Sequence, residues 1–161
     1  MDEVHQDSGN RTIETLVQFP EDISNYNQII MRIHLNCPNG GCDPWDRKAY
    51  ISIENFDNWI EIGRYVTPYG VSCGWEIDVT DFKSILHGNV NLKSHIDTWV
   101  SPGWLVNINF DYYLGNSEFE YAQVRNVWNR GQVIYGDPTQ PVEISDVSEY
   151  IFSVRNQLIL L

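Results

Sequence analysis

Between positions 37 and 47 the chain reads Cys-Pro-Asn-Gly-Gly-Cys-Asp-Pro-Trp-Asp-Arg, so two acids, an indole and a guanidinium fall within the five residues 43–47. Pro-Asn-Gly is turn chemistry, in which glycine supplies a positive φ without steric cost. A disulfide between Cys37 and Cys42 would close this loop. Across so few residues it would contribute only about 2 kcal/mol in the chain-entropy picture. Its larger effect would be local, holding Asp43, Asp46 and Arg47 on a rigid platform. A carboxylate on such a platform can position and deprotonate a water molecule. A neighbouring cation and further acids can orient a substrate and stabilise developing charge. The competing reading is an Asp46–Arg47 surface or interdomain ion pair, which contributes little to stability when exposed.

Composition narrows the classes of function. The chain has 161 residues, with 22 acids against 10 bases and a formal charge of −12. Such a surface repels phosphate backbones, and no basic patch offsets it, so nucleic acid is not an expected partner. No apolar run reaches the roughly 20 residues of a membrane span. The opening Met1-Asp2-Glu3-Val4-His5 is acidic and polar, unlike a signal peptide. The expected disulfide favours an oxidising compartment, so a secreted or periplasmic location is expected, with a leader absent from this chain. Cys73 is left as a free thiol. A zinc set of His34, Cys37, Cys42 and Asp43 is an alternative use of these groups, although its spacing fits no standard finger or ribbon.

The elements that position the loop read as strands. Trp104, Val106, Ile108, Phe110, Tyr112 and Leu114 alternate with Leu105, Asn107, Asn109, Asp111 and Tyr113, a period of two with one apolar face. Met31, Ile33 and Leu35 alternate in the same way, as do Val90, Leu92, Ser94, Ile96 and Thr98. Shorter strands fit 13–19, 49–54, 59–66, 75–79, 121–128 and 150–159. Thr80 is placed to N-cap one helical turn over 81–86, with Gly88 as its stop. Aromatics form 13% of the chain, including six Trp and nine Tyr. They suit strand cores, and they also stack on the apolar faces of sugar rings. The pattern predicts an all-β protein, an antiparallel β-sandwich of about eight strands with one short helix. Residues 1–10 are expected to form a loose tail and 11–161 a single domain.

The loop resembles the signature loop of the N-terminal domain of the peptide-N-glycosidase F family, amidases that remove N-linked glycans from asparagine. The resemblance continues in order through Tyr50-Ile51-Ser52-Ile53, Trp59 to Gly70, Trp75 to Ser84, the triplet Asp97-Thr98-Trp99, and Val106 to Gly115. It covers about 29–115. It implies a jelly-roll topology and hydrolysis of the glycosylasparagine amide, without cofactor or metal. Asp46, in Trp45-Asp46-Arg47, takes the place of the catalytic acid, and Arg47 that of its orienting cation. Asp97 stands where the family carries a glutamate that helps at the active site, one methylene longer. Asp43, Trp45 and Trp99 are expected on the substrate side, although Trp99 would serve equally in packing. The resemblance also implies a second jelly-roll domain supplying further site residues, and nothing in 116–161 matches it. The isolated chain is therefore expected to carry half a site and to be inactive or nearly so on N-glycosylated peptides and proteins. The other class of function it allows is a non-catalytic glycan- or glycoprotein-binding or structural module.

Overall fold

The computed structural model describes residues 1–116 and Val124. The chain divides into two units, Met1–Val124 and Arg125–Leu161. The strands expected at 121–128 and 150–159 lie outside the described residues.

Eight strands run in order: β1 (Val4–Gln6), β2 (Thr12–Gln18), β3 (Tyr26–Asn36), β4 (Lys48–Asn55), β5 (Asn58–Val66), β6 (Cys73–Asp78), β7 (Asn89–Ile96) and β8 (Trp104–Leu114). They build two four-stranded antiparallel sheets, ordered β1-β8-β3-β6 and β2-β7-β4-β5. Strands adjacent in sequence mostly cross between the sheets, and this order is that of a jelly roll. Among the described residues no helix is long and apolar enough to cross a membrane.

The alternation seen in the sequence is what folds the sandwich. Ile29, Met31, Ile33 and Leu35 of β3, with Trp104, Val106 and Ile108 of the neighbouring β8, form one fully buried core with Ala49, Ile51 and Ile53 of β4 and Leu92 and Ile96 of β7 in the other sheet. Each large aliphatic side chain so removed from water stabilises the fold by about 1.5–3 kcal/mol. The apolar face of β8 does not stay buried to its end. Phe110 and Tyr112 are half-buried, packed against Phe19 and Tyr26 at 4.9 and 5.3 Å between ring centroids, and Leu114 is exposed.

Two local expectations are corrected. Residues 1–10 are not a loose tail throughout, because Val4–Gln6 pairs with 104–106 of β8. Gln6 is fully buried: its amide donates to the carbonyls of Arg11 (2.8 Å) and Ser94 (3.1 Å), and it accepts from the Ser94 hydroxyl (2.7 Å). That exchange ties β1 to β7 of the opposite sheet and satisfies a polar group that would otherwise be costly to bury. The helical turn is a 3-10 helix, Thr80–Ile85, and Thr80 does not cap it. The Thr80 hydroxyl instead accepts the Ile29 backbone N–H (2.9 Å), while Asp78 accepts the Thr80 N–H at 2.9 Å.

Candidate active site

Three loops meet at one end of the sandwich: 37–47 between β3 and β4, 67–72 between β5 and β6, and 97–103 between β7 and β8. Cys37 and Cys42 are joined, with Cα atoms 4.4 Å apart. Gly40 and Gly41 between them take φ of 105° and 104°, the left-handed backbone that the loop needs glycine to reach. The zinc set considered for these residues does not form, since the two sulfurs bind each other and Asp43 faces a guanidinium. Cys73 is a free, half-buried thiol whose pKa burial pushes up to about 11.

Asp43 is the junction of this end. Its side chain is fully buried. Its backbone N–H donates to the Gly103 carbonyl (3.0 Å), and its carbonyl accepts from Gly70 N–H (3.1 Å). Its carboxylate accepts Arg47 Nε at 2.6 Å and Nη2 at 3.2 Å, the Thr98 hydroxyl at 2.7 Å and the Trp45 N–H at 3.0 Å. Burial alone would raise this carboxyl, but the hydrogen bonds from Arg47, Thr98 and Trp45 outweigh it and hold it below the ordinary carboxylate value. A group with no exposed surface is out of reach of a solute. Asp43 therefore does not line a substrate surface as expected; it holds Arg47 and the three loops in place.

Arg47 passes that rigidity outward. Its backbone exchanges hydrogen bonds with Thr67, N–H to Oγ1 at 2.8 Å and carbonyl from N–H at 2.9 Å. Its guanidinium, pinned bidentately by Asp43, lies 5.2 Å from the centroid of the Trp99 ring, and Arg11 lies 5.6 Å from the same ring. Trp99 and Trp45 are both more than half exposed, at 60% and 57%. Trp99 is thus not a core residue. Asp46, between Trp45 and Arg47, is exposed and makes no side-chain hydrogen bond among the described residues. It is an exposed carboxylate that in sequence follows an exposed indole and precedes a fixed cation.

Asp97 stands beside this group. Its backbone N–H donates to the Lys48 carbonyl (2.9 Å), one residue from Arg47. Its two oxygens meet Lys48 Nζ at 3.2 Å and His95 Nε2 at 2.8 Å. Burial pushes its carboxyl up, and the His95 and Lys48 contacts more than offset that, so it sits low and ionised at neutral pH. The structure thus joins Asp43, Arg47 and Trp99 through direct contacts and places Asp97 next to them through Lys48, with Asp46 one residue from Arg47. Thr98, Thr67, Lys48, His95 and Gly103 complete the arrangement and were not singled out from sequence. For Thr98 a signal existed, since period two from Ile96 turns it inward; Lys48 and Gly103 carried none.

Residues 48–112 match the family model described as peptide-N-glycosidase F, N terminal. This part of the chain is homologous to the N-terminal domain of the peptide-N-glycosidase F family. The chain is 40% identical over 125 residues to the peptide-N(4)-(N-acetyl-beta-D-glucosaminyl)asparagine amidase F of Elizabethkingia miricola, covering 73% of this chain and 35% of that protein. It superposes with a TM-score of 0.72 and 39% identity on the solved structure of PNGase F, a glycosylasparaginase from Flavobacterium meningosepticum, covering 75% of this chain and 42% of that one. PNGF-II, at 17% identity and a TM-score of 0.59 over 73% of this chain, shares the fold. The chain spans about a third to two fifths of the length of the first two relatives.

Proposed function

We propose that this domain supplies one half of the active site of an amidase that releases N-linked glycans from asparagine in glycopeptides and glycoproteins. Asp46 is the general base: it orients a water molecule and takes its proton as the oxygen attacks the side-chain amide carbon. The C–N bond then breaks, the asparagine becomes aspartate, and the glycosylamine leaves with a proton returned to its nitrogen. Arg47 steadies the charge that develops on the carbonyl oxygen or orients the first sugar. Asp97 is the second carboxylate, and Trp45 and Trp99 flank the glycan as stacking surfaces. The observation that carries this reading is a solvent-facing Asp46 on the loop that follows the Cys37–Cys42 disulfide, next in sequence to an arginine whose guanidinium is locked by a buried acid. The reaction needs only water and side chains, so no cofactor or metal is invoked. The disulfide supports a secreted or periplasmic site of action.

Remaining site residues come from a second jelly-roll domain, as the partial coverage of longer relatives suggests. Groups that act as a unit lose most of their effect when one is missing. The expected result of a glycopeptide deglycosylation assay is therefore little or no release by this chain alone. Release should appear when a family second domain is supplied in trans, and disappear with Asp46→Asn. Release by the chain alone that Asp46→Asn leaves unchanged would end both the half-site reading and the role of Asp46.

A second reading, a glycan-binding module without catalysis, is favoured by one observation: both oxygens of Asp97 are already engaged by Lys48 and His95. It predicts glycopeptide binding with no release in any combination.

A further inference from the structure

We propose that His95 is a positioning residue for Asp97: a chain from Thr12 through His95, opposed by Lys48, fixes the orientation of the second carboxylate. This rests on the reading of Asp97 as a site carboxylate. The ring is held on three sides. Nε2 lies 2.8 Å from Asp97 Oδ1 and Nδ1 lies 2.7 Å from Thr12 Oγ1. The ring stacks on Tyr50 at 4.9 Å and 22°. These contacts come from three elements: Thr12 on β2 and Tyr50 on β4 both sit opposite His95 in register, and Asp97 follows on the loop after β7.

The chemistry fixes the proton positions. An ionised carboxylate only accepts, so Nε2 must donate to it. In the neutral ring Nδ1 then accepts from the Thr12 hydroxyl. On protonation Nδ1 also donates, and the hydroxyl turns to accept. Every group stays satisfied in both forms, so the grip on Asp97 is kept whether the ring is neutral or charged. The other charged groups on this face do not compete for it. From β4, Lys48 meets the other oxygen of Asp97. Lys93 on β7 pairs with Glu14 on β2 at 2.7 Å. Arg64 on β5, opposite Tyr50, pairs with Glu61 at 2.7 Å. Arg11 lies over Trp99. The direction of the Asp97 carboxylate matters, since a displacement of about 1 Å at a reacting group can cost on the order of a hundredfold in rate.

The test uses the whole chain. The Asp97 carboxyl is titrated by carbon-13 NMR in the wild type, in His95→Phe, which keeps a ring on Tyr50 but no nitrogen, and in His95→Gln, which keeps one amide donor. Thr12→Val, which removes only the hydroxyl behind Nδ1, gives a milder probe should His95→Phe fail to fold. Glycopeptide binding is followed on the same samples by NMR shift perturbation up to millimolar concentration, with Asp97→Asn alongside. In His95→Phe the Asp97 midpoint should rise by about half a pH unit, roughly threefold in proton affinity. Glycopeptide affinity should fall on the order of tenfold, with partial recovery of both in His95→Gln. Thr12→Val should lower the Nε2–H fraction of the ring, read from its nitrogen-15 shifts.

An Asp97 midpoint or a glycopeptide affinity unmoved by His95→Phe, while Asp97→Asn weakens binding, overturns the role of His95 alone. If His95→Phe does not fold, unchanged ring shifts together with an unmoved Asp97 midpoint in Thr12→Val overturn it equally. A glycopeptide that wild type fails to bind, or binds as well after Asp97→Asn, removes Asp97 from the site and the proposal with it.

Discussion

At the scale of single residues, Asp43 decides whether the site exists. A buried ion pair is weak evidence of stability when compared with an apolar replacement, yet removing one partner leaves an uncompensated charge. Asp43→Ala would strand the Arg47 guanidinium, whose side chain is only 15% exposed, and the buried Thr98 hydroxyl. We expect a loss of about 3–5 kcal/mol in a denaturant titration. Arg47→Lys keeps the charge but not the fork that spans both oxygens of Asp43, so it should cost stability too, and a variant as stable as wild type would show that the bidentate geometry is unimportant. The pH dependence has a definite sign. The carboxyls of Asp43 and Asp97 both sit below their ordinary value of 3.8 in the folded chain. Above that pH the folded state holds its full advantage. As pH falls through the folded values both groups must take up protons that the unfolded chain already binds, and the advantage is lost. The midpoint of thermal unfolding should therefore drop steeply on acidification below about pH 4. Asp43→Asn, less stable at neutral pH, should show a shallower acid limb; an acid limb as steep as that of wild type would show that Asp43 does not govern it.

At the scale of elements, the loops matter through their backbone. Gly103 takes φ +52°, and a Cβ there would lie 2.0 Å from the Gln6 carbonyl oxygen. The same residue's carbonyl receives the Asp43 N–H. Gly103→Ala should therefore push β1 away and loosen the platform together, costing more than about 2 kcal/mol. The loss should be seen both as a lower unfolding midpoint and as faster hydrogen exchange of the Asp43 amide. Exchange that stays slow at Asp43 in a destabilised variant would separate the two effects. The strands themselves were largely legible in the sequence, because two opposed apolar faces leave their period in the chain. β3, β4, β5, β7 and β8 fall within a few residues of where alternation places them, β3 reaching several residues further towards its start. β1 was not legible. Three residues of mixed polarity carry no period, and the burial of Gln6 is set by Ser94, 88 residues away. The same holds within the site. The short loop and its acid-indole-acid-cation run announce a platform. Nothing local says that Asp43 turns inward while Asp46 turns out, since Thr98 and Gly103 make that choice from the far side of the chain.

At the scale of the whole molecule, the described unit Met1–Val124 already contains both sheets of the jelly roll, from Val4 to Leu114. Its core is closed by the pairings of β1 with β8, β8 with β3, and β2 with β7. A domain of this length buries roughly two thirds of its unfolded surface, enough for independent stability. A chain ending at Val124 should then unfold cooperatively, with a thermal midpoint within a few degrees of the 161-residue chain and with the Cys37–Cys42 disulfide intact. Reduction of that disulfide should lower the midpoint modestly, in line with the roughly 2 kcal/mol of so short a loop. Its effect on glycopeptide binding should exceed its effect on stability, because the loop it closes leads directly into Asp43, Trp45 and Asp46. The decisive comparison is the truncated chain, oxidised and reduced, in thermal unfolding and in glycopeptide binding. A truncated chain that does not fold would show that residues 125–161 complete the sandwich, and reduction that lowers stability and binding in proportion would show that the loop acts only as part of the scaffold.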